Sequence, residues 1–167
     1  MKKTLVEHLS QYAAYHRDRR NILTHFFGIP MIVASVVILL SRPVLVAELS
    51  WLTPAFIAAV AATIYYLRLD LRYGVVLAAF LAACLWLSSA LGHLDTASWL
   101  QVGGGLFFVG WVLQFIGHYF EGRKPAFVDD LIGLLIGPLF VAAEAGFLIG
   151  LRKEVASAIE ARVGHTR

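Results

Sequence analysis

The sequence predicts an all-α integral membrane protein, and three observations carry that prediction. Hydrophobic residues make up 59% of the chain and charged residues only 15%, against about a quarter in ordinary soluble domains. Apolar runs recur at roughly 22–40, 51–69, 73–91 and 99–119, with a fifth apolar segment at 131–150. Runs of about 19 residues suffice to cross about 30 Å of hydrocarbon at about 1.5 Å per residue. The links are short, so consecutive spans are expected as antiparallel neighbours in a helical bundle, one membrane domain over 1–167.

The elements follow in order. Residues 4–17 carry Leu5, Leu9, Tyr12 and His16 along one stripe, with Glu7, Gln11 and Arg17 among the polar positions; that pattern predicts a short helix lying in the membrane interface. No unbroken apolar core or small-residue cleavage site follows the first lysines, so this stretch does not read as a signal peptide. "RDRRN" (17–21) interrupts the apolar pattern, with Asn21 as the expected N-cap of the first span. Four spans then follow. In the fifth segment, Gly137-Pro138 stands near the middle and Glu144 after it. The Gly-Pro break predicts two half-helices that re-enter on the same side, with a fifth full span as the alternative. The single cysteine, Cys84, excludes an internal disulfide and a cysteine-based metal cluster and reads as a packing thiol.

Lysine and arginine placement sets the orientation. With the N-terminus cytoplasmic, that side holds Lys2, Lys3, Arg17, Arg19, Arg20, Arg68, Arg72, Arg123 and Lys124, while the opposite loops hold only Arg42. A re-entrant fifth segment would keep Arg152, Lys153, Arg162 and Arg167 on the cytoplasmic side too. The expected location is a bacterial inner membrane.

Ionisable groups near hydrocarbon are costly and usually have partners or a function. Under this topology His16, His25, Tyr65, Tyr66, Asp70, Gln114, His118 and Glu121 gather at one depth on the cytoplasmic side. Gln114, His118 and Glu121 share one helix face, four and then three residues apart. His16 and His25 would point oppositely on one continuous helix, so they can converge only if the chain breaks between them, at "RDRRN". Several imidazoles with a carboxylate suit Fe(II) or Zn(II), although HExxH is absent. The plainer readings are a hydrogen-bonded intramembrane histidine for His25, an ion pair with Arg123 or Lys124 for Glu121, and a solvated cluster with Arg68 and Arg72 for Asp70. Tyr65, Tyr66, Trp51 and Trp99 fit interfacial anchors. His8, His93 and His165 lie in polar contexts away from the cluster and are given no role.

Two stretches, "YHRDRRNILTHFFGIP" (Tyr15 to Pro30) and "QFIGHYFEGRKPA" (Gln114 to Ala126), resemble the signature motifs of the membrane-bound 2-hydroxy-fatty-acid dioxygenases. "YYLRLD" (Tyr65 to Asp70) resembles a weaker third element, and the likeness covers nearly the whole chain. The resemblance implies an Fe(II) enzyme of fatty acid α-oxidation acting on a 2-hydroxy fatty acid and O₂ in the lipid bilayer, with zinc or another divalent ion as a possible substitute. It implies His16, His25 and His118 as metal ligands, and Glu121 as a further ligand or a group orienting a histidine. Asn21, Asp70 and Gln114 would support these ligands, and Arg19, Arg20 or Arg123 would steer the substrate carboxylate. No nucleotide motif or nucleic-acid partner is expected. The rivals are a haem protein, a small transporter or assembly factor, and a histidine-box hydroxylase or desaturase, whose HxxxH and HxxHH clusters are missing.

Overall fold

The structure, a computed structural model, describes residues 3–125 and 132–166. The orientation signals Lys2 and Arg167 and the expected start of the fifth segment at residue 131 lie outside the described residues. The described residues are all-α: α1 (Leu5–Ala13), α2 (Arg19–Leu40), α3 (Pro54–Leu69), α4 (Leu71–Ala90), α5 (Thr96–Glu121), α6 (Gly133–Leu148) and α7 (Lys153–Val163). Helices α2, α4 and α5 are long and apolar enough to cross a membrane, while α3 is a shorter apolar helix of 16 residues. Large apolar side chains such as Phe27, Trp86 and Phe108 are exposed along α2, α4 and α5. Hydrocarbon outside the protein would cover such a surface.

The chain forms two compact units, Met1–Ile29 with Val112–Arg167, and Pro30–Trp111. In the second unit α3 and α4 pack closely. An added Cβ on Gly74 would lie 2.6 Å from the Leu67 Cα, so only glycine lets the two backbones approach there. Asp70 ends α3 and caps α4, its Oδ1 accepting from the Tyr73 N–H at 3.1 Å. The Ser35 hydroxyl donates to the Gly103 carbonyl at 2.8 Å, and the Trp99 indole donates to the Ile38 carbonyl at 3.2 Å. Trp99 is therefore a tie between helices as well as a candidate anchor. Cys84 is a free, buried thiol beside Val37 and Ala55, as a packing residue should be.

The first unit holds the predicted site. Helix α1 starts on a capping box, with the Thr4 side chain on the Glu7 N–H and the Glu7 carboxylate on the Thr4 N–H. Its apolar stripe of Leu5, Leu9 and Tyr12 is buried, and α1 packs against α6 and α7. The stripe is thus covered by protein. Two expectations are corrected. The N-cap of α2 is Asp18, whose Oδ1 accepts from the Arg20 N–H at 2.8 Å, and Asn21 lies inside the helix. Helix α6 runs unbroken through Gly137-Pro138. Pro138 stands six residues into the helix and forfeits one backbone bond, a loss that a packed helix tolerates. Gly137 is needed for packing, since a Cβ there would lie 3.1 Å from both the Tyr12 Oη and the Ile29 Cδ1.

The bend comes later. α6 closes in a Schellman turn, with Leu151 N–H on the Gly146 carbonyl at 2.8 Å and Gly150 N–H on the Phe147 carbonyl at 3.0 Å. Gly150 and Arg152 take positive φ, and α7 leaves at 113° to α6. Helix α7 was not foreseen; it buries Val155 and Ile159, four residues apart on one face.

Gly74→Ala should lower thermal stability in detergent by roughly 1–3 kcal/mol, the usual effect of overpacking. Gly104→Ala, where a Cβ meets open space, should not destabilise. Equal melting temperatures for the two variants would contradict this packing.

Candidate metal centre

The site begins with a broken chain. α1 stops at Ala13, the His16 N–H bonds the Ala13 carbonyl at 3.0 Å, and α2 starts at Arg19. His16 therefore sits in the turn between two helices, which is the break that His16 and His25 require. His25 stands two turns into α2, and His118 in the last turn of α5. All three are buried, at 0%, 1% and 6% exposure. Their ligand-capable nitrogens lie within 4.8 Å of one another, a group able to hold a metal ion.

Hydrogen bonds fix which nitrogens face inward. His16 Nδ1 lies 2.7 Å from the Tyr12 carbonyl oxygen, and His25 Nδ1 lies 2.8 Å from the Asn21 carbonyl oxygen. A carbonyl only accepts, so each Nδ1 carries the proton and each Nε2 presents a lone pair. Those two Nε2 atoms face each other at 3.0 Å. Burial, and then the neighbouring His25, hold the His16 ring well below the ordinary histidine pKa, so it stays neutral. Two lone pairs at that distance repel unless a cation sits against both. Nitrogens about 2.1 Å from one ion, a usual imidazole–metal distance, are about 3.0 Å apart when they subtend a right angle. The donor set therefore fits a divalent metal. His118 completes it, and its buried Nδ1 has no hydrogen-bond partner among the described residues.

Apolar walls surround the rings. Tyr12 stacks on His16 with centroids 4.2 Å apart and planes within 3°, and Phe140 lies 5.4 Å from His16. Gly117, on α5 one residue before His118, has the opposite function of leaving room. A Cβ there would press on the Thr24 hydroxyl, come within 2.6 Å of the Asn21 Oδ1 and within 3.2 Å of the His25 Nδ1.

Glu121 lies outside the three-histidine group. Its Oε2 accepts from the Arg17 N–H at 2.8 Å, the Asp18 N–H at 2.7 Å and the Asn21 Nδ2 at 3.2 Å. A carboxylate on the last residue of α5 thus clamps the turn that carries His16. Hydrogen bonds to a charged group contribute roughly 1.5–3 kcal/mol each. Asn21 also donates to the Tyr15 carbonyl at 3.3 Å, so it ties the same turn to α2.

The other expected residues fall as follows. The Gln114 Nε2, one turn before His118, is buried without a partner among the described residues. Asp70 belongs to the other compact unit, as the cap of α4. Arg123 donates to the Ala14 carbonyl at 2.8 Å, closing α1. Arg20 pairs with Asp18 at 2.9 Å and covers the Phe120 ring at 4.5 Å, while Arg19 is exposed. Sequence reasoning missed Tyr12, Phe140 and Gly117 as parts of the site. Tyr12 had a signal, since it lies four residues before His16; Phe140 had none.

An all-α membrane-type protein with a buried cluster of three imidazoles belongs among candidate metal-binding proteins. The comparisons narrow that class. Residues 2–148 match the family described as 2-hydroxy-palmitic acid dioxygenase Mpo1-like. The chain is 32% identical over 154 residues to the 2-hydroxy-palmitic acid dioxygenase MPO1 of Saccharomyces cerevisiae, covering 91% of this chain and 85% of the relative. No solved structure gives a significant match. The chain belongs to the Mpo1-like dioxygenase family.

Two sets of variants test the centre. Each of His16→Ala, His25→Ala and His118→Ala should abolish stoichiometric metal in anaerobically purified protein, measured by elemental analysis. Gly117→Ala should weaken metal affinity about 10- to 100-fold, as changes around the ligands usually do. Full metal content in any of the three alanine variants would remove that histidine. For the clamp, Glu121→Ala should destabilise the protein by roughly 1–3 kcal/mol, the usual penalty for buried N–H groups left unpaired. Glu121→Gln, which keeps an acceptor oxygen, should lose less. If both variants melt like the wild type, the clamp is wrong.

Proposed function

We propose that this chain is an Fe(II)-dependent dioxygenase that cleaves C1–C2 of a 2-hydroxy fatty acid, giving the acid one carbon shorter. The reaction balances as R–CH(OH)–COOH plus O₂ giving R–COOH plus CO₂ plus H₂O. The organic substrate gives up four electrons and dioxygen takes four, so no nicotinamide, flavin or 2-oxoglutarate enters. The observation that carries the reading is the pair of facing Nε2 atoms at 3.0 Å with His118 beside them, in a chain of a dioxygenase family.

His16, His25 and His118 would hold the ion. When bound, iron supplies a point where the acid's carboxylate and hydroxyl and the dioxygen meet, and it takes up charge as the C–C bond breaks. Three neutral ligands leave the ion's positive charge uncompensated, which favours an anionic substrate. Three protein donors would also leave room at the ion for the acid and O₂. Glu121 serves this better as a clamp than as a fourth ligand, because its Oε2 already accepts three N–H groups. Tyr12 and Phe140 keep water from one side of the rings. The Gln114 amide, buried and one turn from His118, is assigned to the substrate's oxygens. Asn21 holds the His16 turn, and Asp70 keeps its place as the cap of α4. We place the centre at the cytoplasmic face of a bacterial inner membrane, following the lysine and arginine bias.

A haem reading fits less well. Axial ligands bind opposite faces of a flat macrocycle, and nitrogens 3.0 Å apart with a third imidazole beside them leave no slot for one.

Protein loaded with Fe(II) and given 2-hydroxyhexadecanoic acid in air should produce pentadecanoic acid and CO₂, one each per O₂ consumed. His25→Ala should fall by at least about a hundredfold, the scale of a lost essential group. Loaded protein that leaves the hydroxy acid untouched would refute the reading.

A further inference from the structure

We infer that Arg17 is the anchor for the substrate's carboxylate, and that the segment 164–166 holds its place until substrate arrives. This rests on the reading above that the substrate is a 2-hydroxy fatty acid. Arg17 follows His16 directly, yet its side chain is only 8% exposed. Its Nε donates to the His16 carbonyl at 3.2 Å, its Nη1 to the Gly164 carbonyl at 2.6 Å and its Nη2 to the Thr166 hydroxyl at 3.2 Å. Among the described residues, all its side-chain hydrogen bonds therefore go to neutral oxygens. Burial works against its charge and lowers its pKa, and Glu144, Glu121 and Glu160 offset part of that through space. A guanidinium binds a carboxylate through two parallel charge-assisted bonds, which are roughly twice as strong as neutral ones. A carboxylate therefore outcompetes the carbonyl and hydroxyl that now occupy Nη1 and Nη2.

The space around Arg17 suits an amphiphile. A cavity of about 400 Å³ borders it, lined also by Ala14, Glu121, Arg123, Val163 and His165, so a second cation faces the same space. A larger cavity of about 720 Å³ has the apolar side chains Ile22, Leu23, Phe26 and Leu148 on one wall and Arg19, Glu144 and Glu160 at its polar rim, and His165 borders both cavities. Thr166 also lines the larger one. The segment that Arg17 holds thus stands between a space faced by two guanidinium groups and the Glu121 carboxylate and a larger one with an apolar wall on α2 and α6. Moving it joins them, with the acyl chain along α2 and α6 and the carboxylate shared between Arg17 and the ion that the adjacent His16 would hold. Gly164, at φ 82, ends α7 and supplies a pivot that side-chain-bearing residues rarely adopt. Helix α7 and this segment lie outside the residues matched to the family.

The test separates charge recognition from structural support. Hexadecanoate and hexadecan-1-ol, which share a chain but differ in head group, are compared as inhibitors of 2-hydroxyhexadecanoate turnover, with metal content measured for each protein. Arg17→Gln should raise KM and weaken hexadecanoate about tenfold or more, the effect of one lost charged hydrogen bond. It should leave hexadecanol inhibition unchanged and kcat within about threefold. Arg17→Lys should recover part of the hexadecanoate binding. In a chain that keeps Arg17, a nitroxide on His165→Cys, in a Cys84→Ser background, should become more mobile when hexadecanoate is added and not when hexadecanol is. Unchanged hexadecanoate inhibition in Arg17→Gln overturns the inference, and so does a nitroxide that does not respond to hexadecanoate. If Arg17→Gln fails to fold, the nitroxide alone decides. Wild-type protein that consumes no hydroxy acid overturns the functional reading instead, and is distinguished by that absence of turnover.

Discussion

Two imidazole lone pairs facing each other across 3.0 Å in a dry interior set the terms for the rest of the first unit. Each ring has its proton committed to a backbone carbonyl four residues earlier. Neither can relieve the repulsion by turning over without abandoning that bond. Adding a proton between them would create a buried imidazolium, which desolvation opposes. A divalent cation meets the demand, and the third histidine supplies a further donor from a helix nearly a hundred residues away.

Holding such a pair requires restraint from several directions. The turn carrying His16 is short and irregular, and it is pinned by the α5 carboxylate of Glu121 and by Asn21 from α2. Tyr12 fixes His16 twice, through its carbonyl and through its ring. Gly117 lets α5 come close enough to α2 for His118 to reach the same point. Removing a histidine would delete a donor, whereas removing Glu121 or filling Gly117 would shift where the histidines sit. The charges are divided accordingly. Glu121 is committed to the N–H groups of the turn, and under the proposed function the histidines would leave the ion's charge available to an anionic substrate.

Much of this was legible in the sequence. Runs of apolar residues give the long helices because hydrocarbon thickness fixes their length. The charged interruption at "RDRRN" announced the break between His16 and His25, because nine residues of continuous helix would point them apart. Other features were hidden for identifiable reasons. The cap of α2 is Asp18 and not Asn21, and both residue types suit that position equally. Gly137-Pro138 looked like a break, but the helix continues through it at the loss of one backbone bond, and the glycine there serves contact with Tyr12. Glu121 at the right spacing reads as a ligand; only coordinates show its oxygen filled by backbone N–H groups. Arg17 looked like one more orientation charge, and its burial depends on a segment almost 150 residues later.

X-ray absorption on anaerobic, Fe(II)-loaded protein bears most directly on the shared ion. Three imidazole nitrogens at about 2.1 Å, with the scattering pattern of intact rings, are expected, and two in a His118→Ala protein that is forced to retain metal at high concentration. An iron environment made only of oxygen neighbours, or one unchanged by that substitution, would contradict the account.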